Sequence, residues 1–244
     1  MSKPISVGAV FLDAVGTVLD PCPTVRRAYW EAGKRHGHDA SELEIGQRFN
    51  RVFREQESQD RNKGLRTDEH REEQRWRGIV SATLPGIPDP DACYRELHDH
   101  FARADSWRLL PGAVELFALL DEMGIVSGIA SNFDSRLHGI IQNSQLKHHV
   151  RHVVVSSEIG WRKPAREFFL HLCEITGLPA QNILMVGDDQ ENDVNGPRGI
   201  GMPSILVATR SPTGNATDLA GLAEMIRRDQ IVPHRQLQSS RANS

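Results

Sequence analysis

Three cysteines are all that the 244 residues contain, Cys22, Cys93 and Cys173, and they are scattered and odd in number. Neither a disulfide framework nor a zinc site has such spacing, so reduced thiols and a cytoplasmic location are expected. Surplus charge is missing too, since 29 basic against 32 acidic residues leave a net charge of −3. Without a basic excess there is no electrostatic reason for nucleic acid or an anionic membrane as partner. Long apolar runs are also lacking. The stretch over residues 5–19 is broken by Asp13 and has no basic leader, so no signal peptide is expected. Nothing approaches the ~20 apolar residues of a spanning helix. No internal repeat is found. What remains is an ordinary globular composition, 39% hydrophobic, long enough for one large domain or a core with an inserted one.

The most informative stretch is Ala9-Val10-Phe11-Leu12-Asp13-Ala14-Val15-Gly16-Thr17-Val18-Leu19-Asp20. An apolar run stopped by a turn signal reads as a buried strand of a parallel sheet, here over 5–12. Asp13 then stands at the carboxyl end of that strand, where open α/β sheets place their ligands. A carboxylate there is costly to desolvate unless a metal, a cation or hydrogen bonds meet it. The competing reading is an N-cap for a following helix. Gly16 argues against it, because glycine is unfavourable in a first helical turn.

From Asp20 to about Trp107 the texture is helical. Phe49, Val52 and Phe53, and again Tyr94, Leu97 and Phe101, recur at helical spacing. About four helices are expected, starting near Thr24, Ser41, Thr67 and Pro90. The mixed arginines and glutamates of this segment read as solvated helix faces. Beyond it, helices alternate with short apolar strands ending at Ser131, near Val155, at Val186 and at Val207. A surface helix is expected over 216–228. The alternation means a doubly wound parallel sheet in an α/β fold. The expected organisation is therefore a core of residues 1–19 and 109–230, an inserted helical domain of 20–108, and a disordered tail of 231–244.

Four strand ends carry polar residues: Asp13 and Thr17; Ser131 and Asn132; Lys163, just past the third; and Asp188 and Asp193. In a doubly wound sheet these ends converge on one crevice. The set supplies a nucleophilic carboxylate, hydroxyl and amide donors, a cation and two further carboxylates, as phosphoryl transfer through an aspartyl-phosphate requires. Asp13 would attack phosphorus, while Thr17, Ser131, Asn132 and Lys163 would hold the phosphoryl oxygens. Asp13, Asp188 and Asp193 would bind Mg²⁺, which prefers carboxylates and water.

These motifs, Asp13-Ala14-Val15-Gly16-Thr17, Ser131-Asn132, Gly160-Trp161-Arg162-Lys163-Pro164 and Gly187-Asp188 through Asp193, occur in the order found in haloacid dehalogenase (HAD) superfamily hydrolases. The chain resembles the subfamily with a helical cap inserted after the first motif. The resemblance implies a Mg²⁺-dependent phosphatase acting on a small phosphorylated molecule. No residue of the helical segment identifies that substrate, and the oligomeric state is not legible.

One position departs from the pattern. Family phosphatases carry a second aspartate two residues after the nucleophile, as proton donor and then base, and here that residue is Val15. General acid–base help contributes ~10²–10⁴-fold. Alkyl phosphates would therefore turn over slowly, and substrates with good leaving groups would suffer less. The alternatives are a 2-haloacid dehalogenase, a catalytically silent binding or interaction module, and a phosphonatase recruiting Lys34 or Lys63. The dehalogenases resembled have an aromatic residue at this position and use no metal.

Overall fold

The structure, a computed structural model, describes residues 4–208 and 217–234. The initial apolar run divides at Gly8, so it is two strands where one over 5–12 was expected. β1 (Ile5–Val7) lies outside the main sheet, and β2 (Ala9–Leu12) forms its centre. β3 (Leu19–Pro21) then leads into four helices, α1 (Val25–Arg35), α2 (Glu42–Asn62), α3 (Glu69–Thr83) and α4 (Pro90–Ala102). Each begins at a side-chain cap. Thr24, Ser41, Asp68 and Asp89 accept from a backbone N–H three residues on, satisfying donors that a helix start leaves open. The chain returns through β4 (Trp107–Leu109), which pairs antiparallel with β3. The boundaries read from the sequence, 19/20 and 108/109, fall inside this small ladder.

α5 (Ala113–Glu122), β5 (Val126–Ser131), α6 (Arg136–Gln142), β6 (His152–Val155), the single turn α7 (Ser156–Ile159), α8 (Arg166–Thr176) and β7 (Ile183–Gly187) follow. A π-helical turn over Gln190–Asn195 leads to α9 (Gly196–Arg198), β8 (Ser204–Leu206), α10 (Leu219–Arg227) and β9 (Ile231–Pro233). The five-stranded sheet has the order β6-β5-β2-β7-β8, and every pairing in it is parallel. The fold is α/β with a doubly wound parallel sheet. The expected tail from residue 231 needs correction. Ile231–Pro233 pairs with β1, burying Ile231, and residues 235–244 lie outside the described residues. The helix expected over 216–228 spans Leu219–Arg227, with residue 216 outside the described residues.

All four residues of β2 are buried, and its alternation feeds two apolar layers. Val10 and Leu12 pack with Leu116, Phe117 and Leu120 of α5 and with Leu137 and Ile140 of α6. Ala9 and Phe11 pack on the other face with Phe168, Phe169 and Leu172 of α8. The helices α1–α4 have an apolar cluster of their own, including Tyr29, Ile45, Val52, Ile79 and Leu97. Full burial of each such side chain is worth about 1.5–3 kcal/mol, so both units are held by cores rather than by the connection between them. No helix among the described residues is long and apolar enough to cross a membrane.

Candidate active site

Strand order reverses at β2, with β5 on one side and β7 on the other, which opens a crevice at their carboxyl ends. Asp13 directly follows β2, its N–H donating to the Val186 carbonyl at 2.8 Å. Ser131 ends β5, and Asp188 follows the last residue of β7. The turn after Asp13 closes when Val18 and Leu19 both donate to the Ala14 carbonyl. Gly16 in that turn has φ +95°, and a Cβ there would lie 2.3 Å from Asp188 Oδ2. Glycine is thus required twice over at position 16, for its backbone conformation and for the close approach of Asp188. A Cβ on Gly187 would similarly meet Asp193 Oδ2 at 2.2 Å.

Lys163 is buried, and its ammonium donates to Asp13 Oδ1 at 2.7 Å, Asp193 Oδ1 at 2.6 Å and the Ala130 carbonyl at 2.9 Å. Burial alone would lower its pKa, but Asp13 and Asp193 outweigh that and hold it above the usual lysine range, so it is a cation. Burial pushes Asp193 up to about 7, with repulsion from Asp13 adding and Lys163 opposing. The second oxygen of Asp193 accepts from the Asp189 N–H at 3.1 Å, and Asp189 in turn caps the π-helical turn through the amides of Glu191 and Asn192.

Two of the residues expected on phosphoryl oxygens, Thr17 and Asn132, make hydrogen bonds within the protein. Thr17, expected on a phosphoryl oxygen, is fully buried away from the crevice, and its hydroxyl lies 3.3 Å from Asp188 Oδ1, orienting that carboxylate. Asn132, expected to do the same, spends its amide on backbone. Its Oδ1 accepts from the Lys163 N–H at 2.7 Å and its Nδ2 donates to the Lys163 carbonyl at 3.0 Å. It clamps the lysine in place. Ser131 is buried and faces the cavity.

A cavity of about 1490 Å³ opens between the strand ends and the helices, and Asp13, Val15, Lys163, Asp188 and Asp193 line it. The helices contribute more than solvated faces, contrary to the sequence reading of their arginines and glutamates. Arg162 is buried and reaches Glu72 at 2.5 Å and Glu57 at 2.9 Å. Arg75, also buried, meets Glu57 at 2.5 Å and Asp60 at 3.0 Å, and Arg71 meets Asp60 at 2.5 Å. Backbone follows side chains, since Arg162 N–H donates to Leu65 and Thr67 N–H to Gly160. Arg66 stacks over Trp161 at 4.2 Å. The only available signal for this network was Arg162 beside the lysine; its partners lie 90 to 105 residues away in sequence.

Oxygen atoms from Asp13, Asp188 and Asp193 lie within 4.8 Å of one another. The buried Oδ1 of Asn192, on the same turn and facing the same cavity, has no hydrogen-bond partner among the described residues. An all-oxygen donor set with one lysine against three carboxylates fits a hard divalent cation.

A doubly wound sheet whose switch point presents an aspartate, a clamped lysine and a carboxylate pair defines a class of α/β hydrolases. The chain belongs to one family within it, the haloacid dehalogenase-like hydrolases, whose family model matches residues 7–201. It is similar to the human haloacid dehalogenase-like hydrolase domain-containing protein 3, 28% identical over 212 residues that cover 85% of this chain and 84% of that one. Its fold matches YfnB from Bacillus subtilis bound to magnesium, with TM-score 0.73, 17% identity and coverage of 91% of this chain and 100% of that one. It also matches the L-2-haloacid dehalogenase from Xanthobacter autotrophicus, with TM-score 0.68, 18% identity and coverage of 91% and 98%.

Proposed function

We propose that the chain is a Mg²⁺-dependent phosphatase of a small phosphorylated molecule, working through an aspartyl-phosphate on Asp13. The observation that carries this reading is the three-carboxylate cluster around Asp13, with Lys163 on two of its members. A halide leaves without proton or metal, so a dehalogenase does not call for three carboxylates converging as a cation donor set. Position 15 is also valine rather than an aromatic residue. The dehalogenase among the structural neighbours shares the fold at 18% identity, which bears on architecture and not on chemistry.

In this reading Asp13, Asp188 and Asp193 hold Mg²⁺, with Asn192 beside them. The ion supplies Lewis-acid neutralisation of phosphoryl charge. Lys163 pairs with Asp13 and aims it, Asn132 fixes Lys163, and Thr17 orients Asp188. Ser131 faces the phosphoryl group. Residues 20–108 act as a cap that covers the crevice and excludes water. Val15 transfers no proton, so the leaving group departs with little help.

The test is a parallel assay of p-nitrophenyl phosphate with Mg²⁺, acetyl phosphate with Mg²⁺, and 2-chloropropionate without metal. Phosphate release that disappears in Asp13→Asn supports the reading. Chloride release without metal replaces it with a dehalogenase, and no turnover of any substrate replaces it with a silent binding module.

A further inference from the structure

Six aromatic rings line the cavity as a continuous file. Phe53 lies 5.8 Å from Phe49, Phe49 4.9 Å from Tyr29, Tyr29 6.5 Å from Phe101, Phe101 5.9 Å from Trp107, and Trp107 5.8 Å from Phe133. Every step is within the 4.5–7 Å of attractive ring contacts. The file starts on α2 inside the helical unit and ends at Phe133, the residue after Asn132 at the catalytic end of β5. Tyr29 is buried, but the other five rings are only partly so. Phe49, Phe53 and Phe101 pack against the helical core and Trp107 and Phe133 against the core of the sheet, so each is held from behind while part of its surface faces the cavity. The cavity of about 1490 Å³ also far exceeds what a phosphoryl group needs, and these rings form an apolar strip within a lining that is otherwise rich in charged and polar side chains.

Val15, which lines the same cavity, is an independent observation. With no acid at this position, a leaving group stable as an anion is favoured over one that needs protonation. A phenol ionises at about 10, as tyrosine does, whereas an alcohol resembles water at ~15.7. The ring file asks for a planar apolar leaving group, and the missing acid asks for a weakly basic one.

Resting on the phosphatase reading above, we propose that the substrate is an aryl phosphate, a phosphate monoester of a small phenol whose ring packs against the file from Phe133 to Phe49. In the first step the Asp13 carboxylate oxygen forms a bond to phosphorus as the bond from phosphorus to the phenolic oxygen breaks. The phenolate leaves with that electron pair and takes its proton from water. Water then attacks phosphorus, the bond to Asp13 breaks, and inorganic phosphate and the free carboxylate are produced. No oxidant or further reactant is consumed.

Four substrates separate ring from leaving group: phenyl phosphate (ring, weakly basic oxygen), acetyl phosphate (no ring, weakly basic oxygen), benzyl phosphate (ring, alkoxide) and propyl phosphate (neither). With Mg²⁺, kcat/KM should be highest for phenyl phosphate and lowest for propyl phosphate. Phenyl should exceed acetyl phosphate at least tenfold, through KM. Phe133→Ala and Phe49→Ala should each lower the phenyl-to-acetyl ratio about tenfold. Phe133→Leu and Phe49→Leu, which keep the volume without the ring, should lower it in the same direction and serve where an alanine variant fails to fold. Hydrolysis of acetyl phosphate that needs Asp13 but shows no preference for phenyl phosphate, or ratios unmoved in the leucine variants, overturns the aryl assignment and leaves the phosphatase standing. Absence of phosphate release from all four overturns the phosphatase reading itself.

Discussion

Two ionic clusters lie at least partly buried within this molecule, each built on three carboxylates, and they are arranged differently. In the helical unit Glu57, Asp60 and Glu72 face three guanidinium groups, Arg71, Arg75 and Arg162, with hydrogen bonds of 2.5–3.0 Å. At the strand ends Lys163 donates to Asp13 and Asp193, and oxygens of Asp13, Asp188 and Asp193 lie within 4.8 Å of one another. The first cluster is complete as it stands, each charge meeting its counterpart in fixed geometry, and its role is mechanical. The second gathers carboxylate oxygens at one point beside the cavity, a donor set of the kind a hard cation takes. The two clusters thus differ in arrangement, one interleaving opposite charges across the helices and the other converging like groups on one point.

Breaking that comparison should begin with the nucleophile. Asp13→Asn should lower phosphate release by roughly 10⁴-fold or more, since removal of an attacking group eliminates the covalent route. Residual turnover within tenfold of wild type would place the chemistry elsewhere. Next in size is the balanced cluster. Glu72→Ala leaves Arg162 buried without one partner and should cost about 3–5 kcal/mol in urea unfolding, whereas a loss under about 1 kcal/mol would show that Arg162 is compensated without it. Mg²⁺ sharpens the contrast from the other side. At 100 times its Kd it should stabilise the wild type by about 2.7 kcal/mol, and Asp188→Asn should remove most of that gain in the same thermal scan.

Much of the core was legible because its signals are local. An apolar strand ending in Asp13, alternating helices and a Gly187-Asp188 turn follow from residue order, and the topology then brings the strand ends together. Which atom each side chain serves was not legible. Thr17 and Asn132 were both placed at the crevice on residue type, yet one hydroxyl is taken by Asp188 and one amide by the backbone of Lys163. Hydrogen bonds between residues 31 or 171 apart have no footprint in a local pattern. The same holds for the helical unit. Arginine and glutamate alternating on a helix look solvated in one dimension, and only the packing of α2 against α3 and the 160–163 loop turns Arg75 and Glu72 inward. The division of the first strand at Gly8 was missed because β1 finds its partner, β9, at the far end of the described chain.

The paired strands β3 and β4 have a consequence of a different kind. Leu19 faces Leu109, Asp20 faces Arg108 and Pro21 faces Trp107, so the chain leaves the sheet and returns to it at neighbouring points. Everything between them is an insertion on a two-stranded stem, held to the core also through Arg162. Lengthening or replacing it adds closure entropy that grows only with the logarithm of loop length, and the register of the five-stranded sheet is untouched. Under the function proposed above, the wall beside the leaving group can therefore change in sequence without moving the strand ends that carry Asp13 and Asp188.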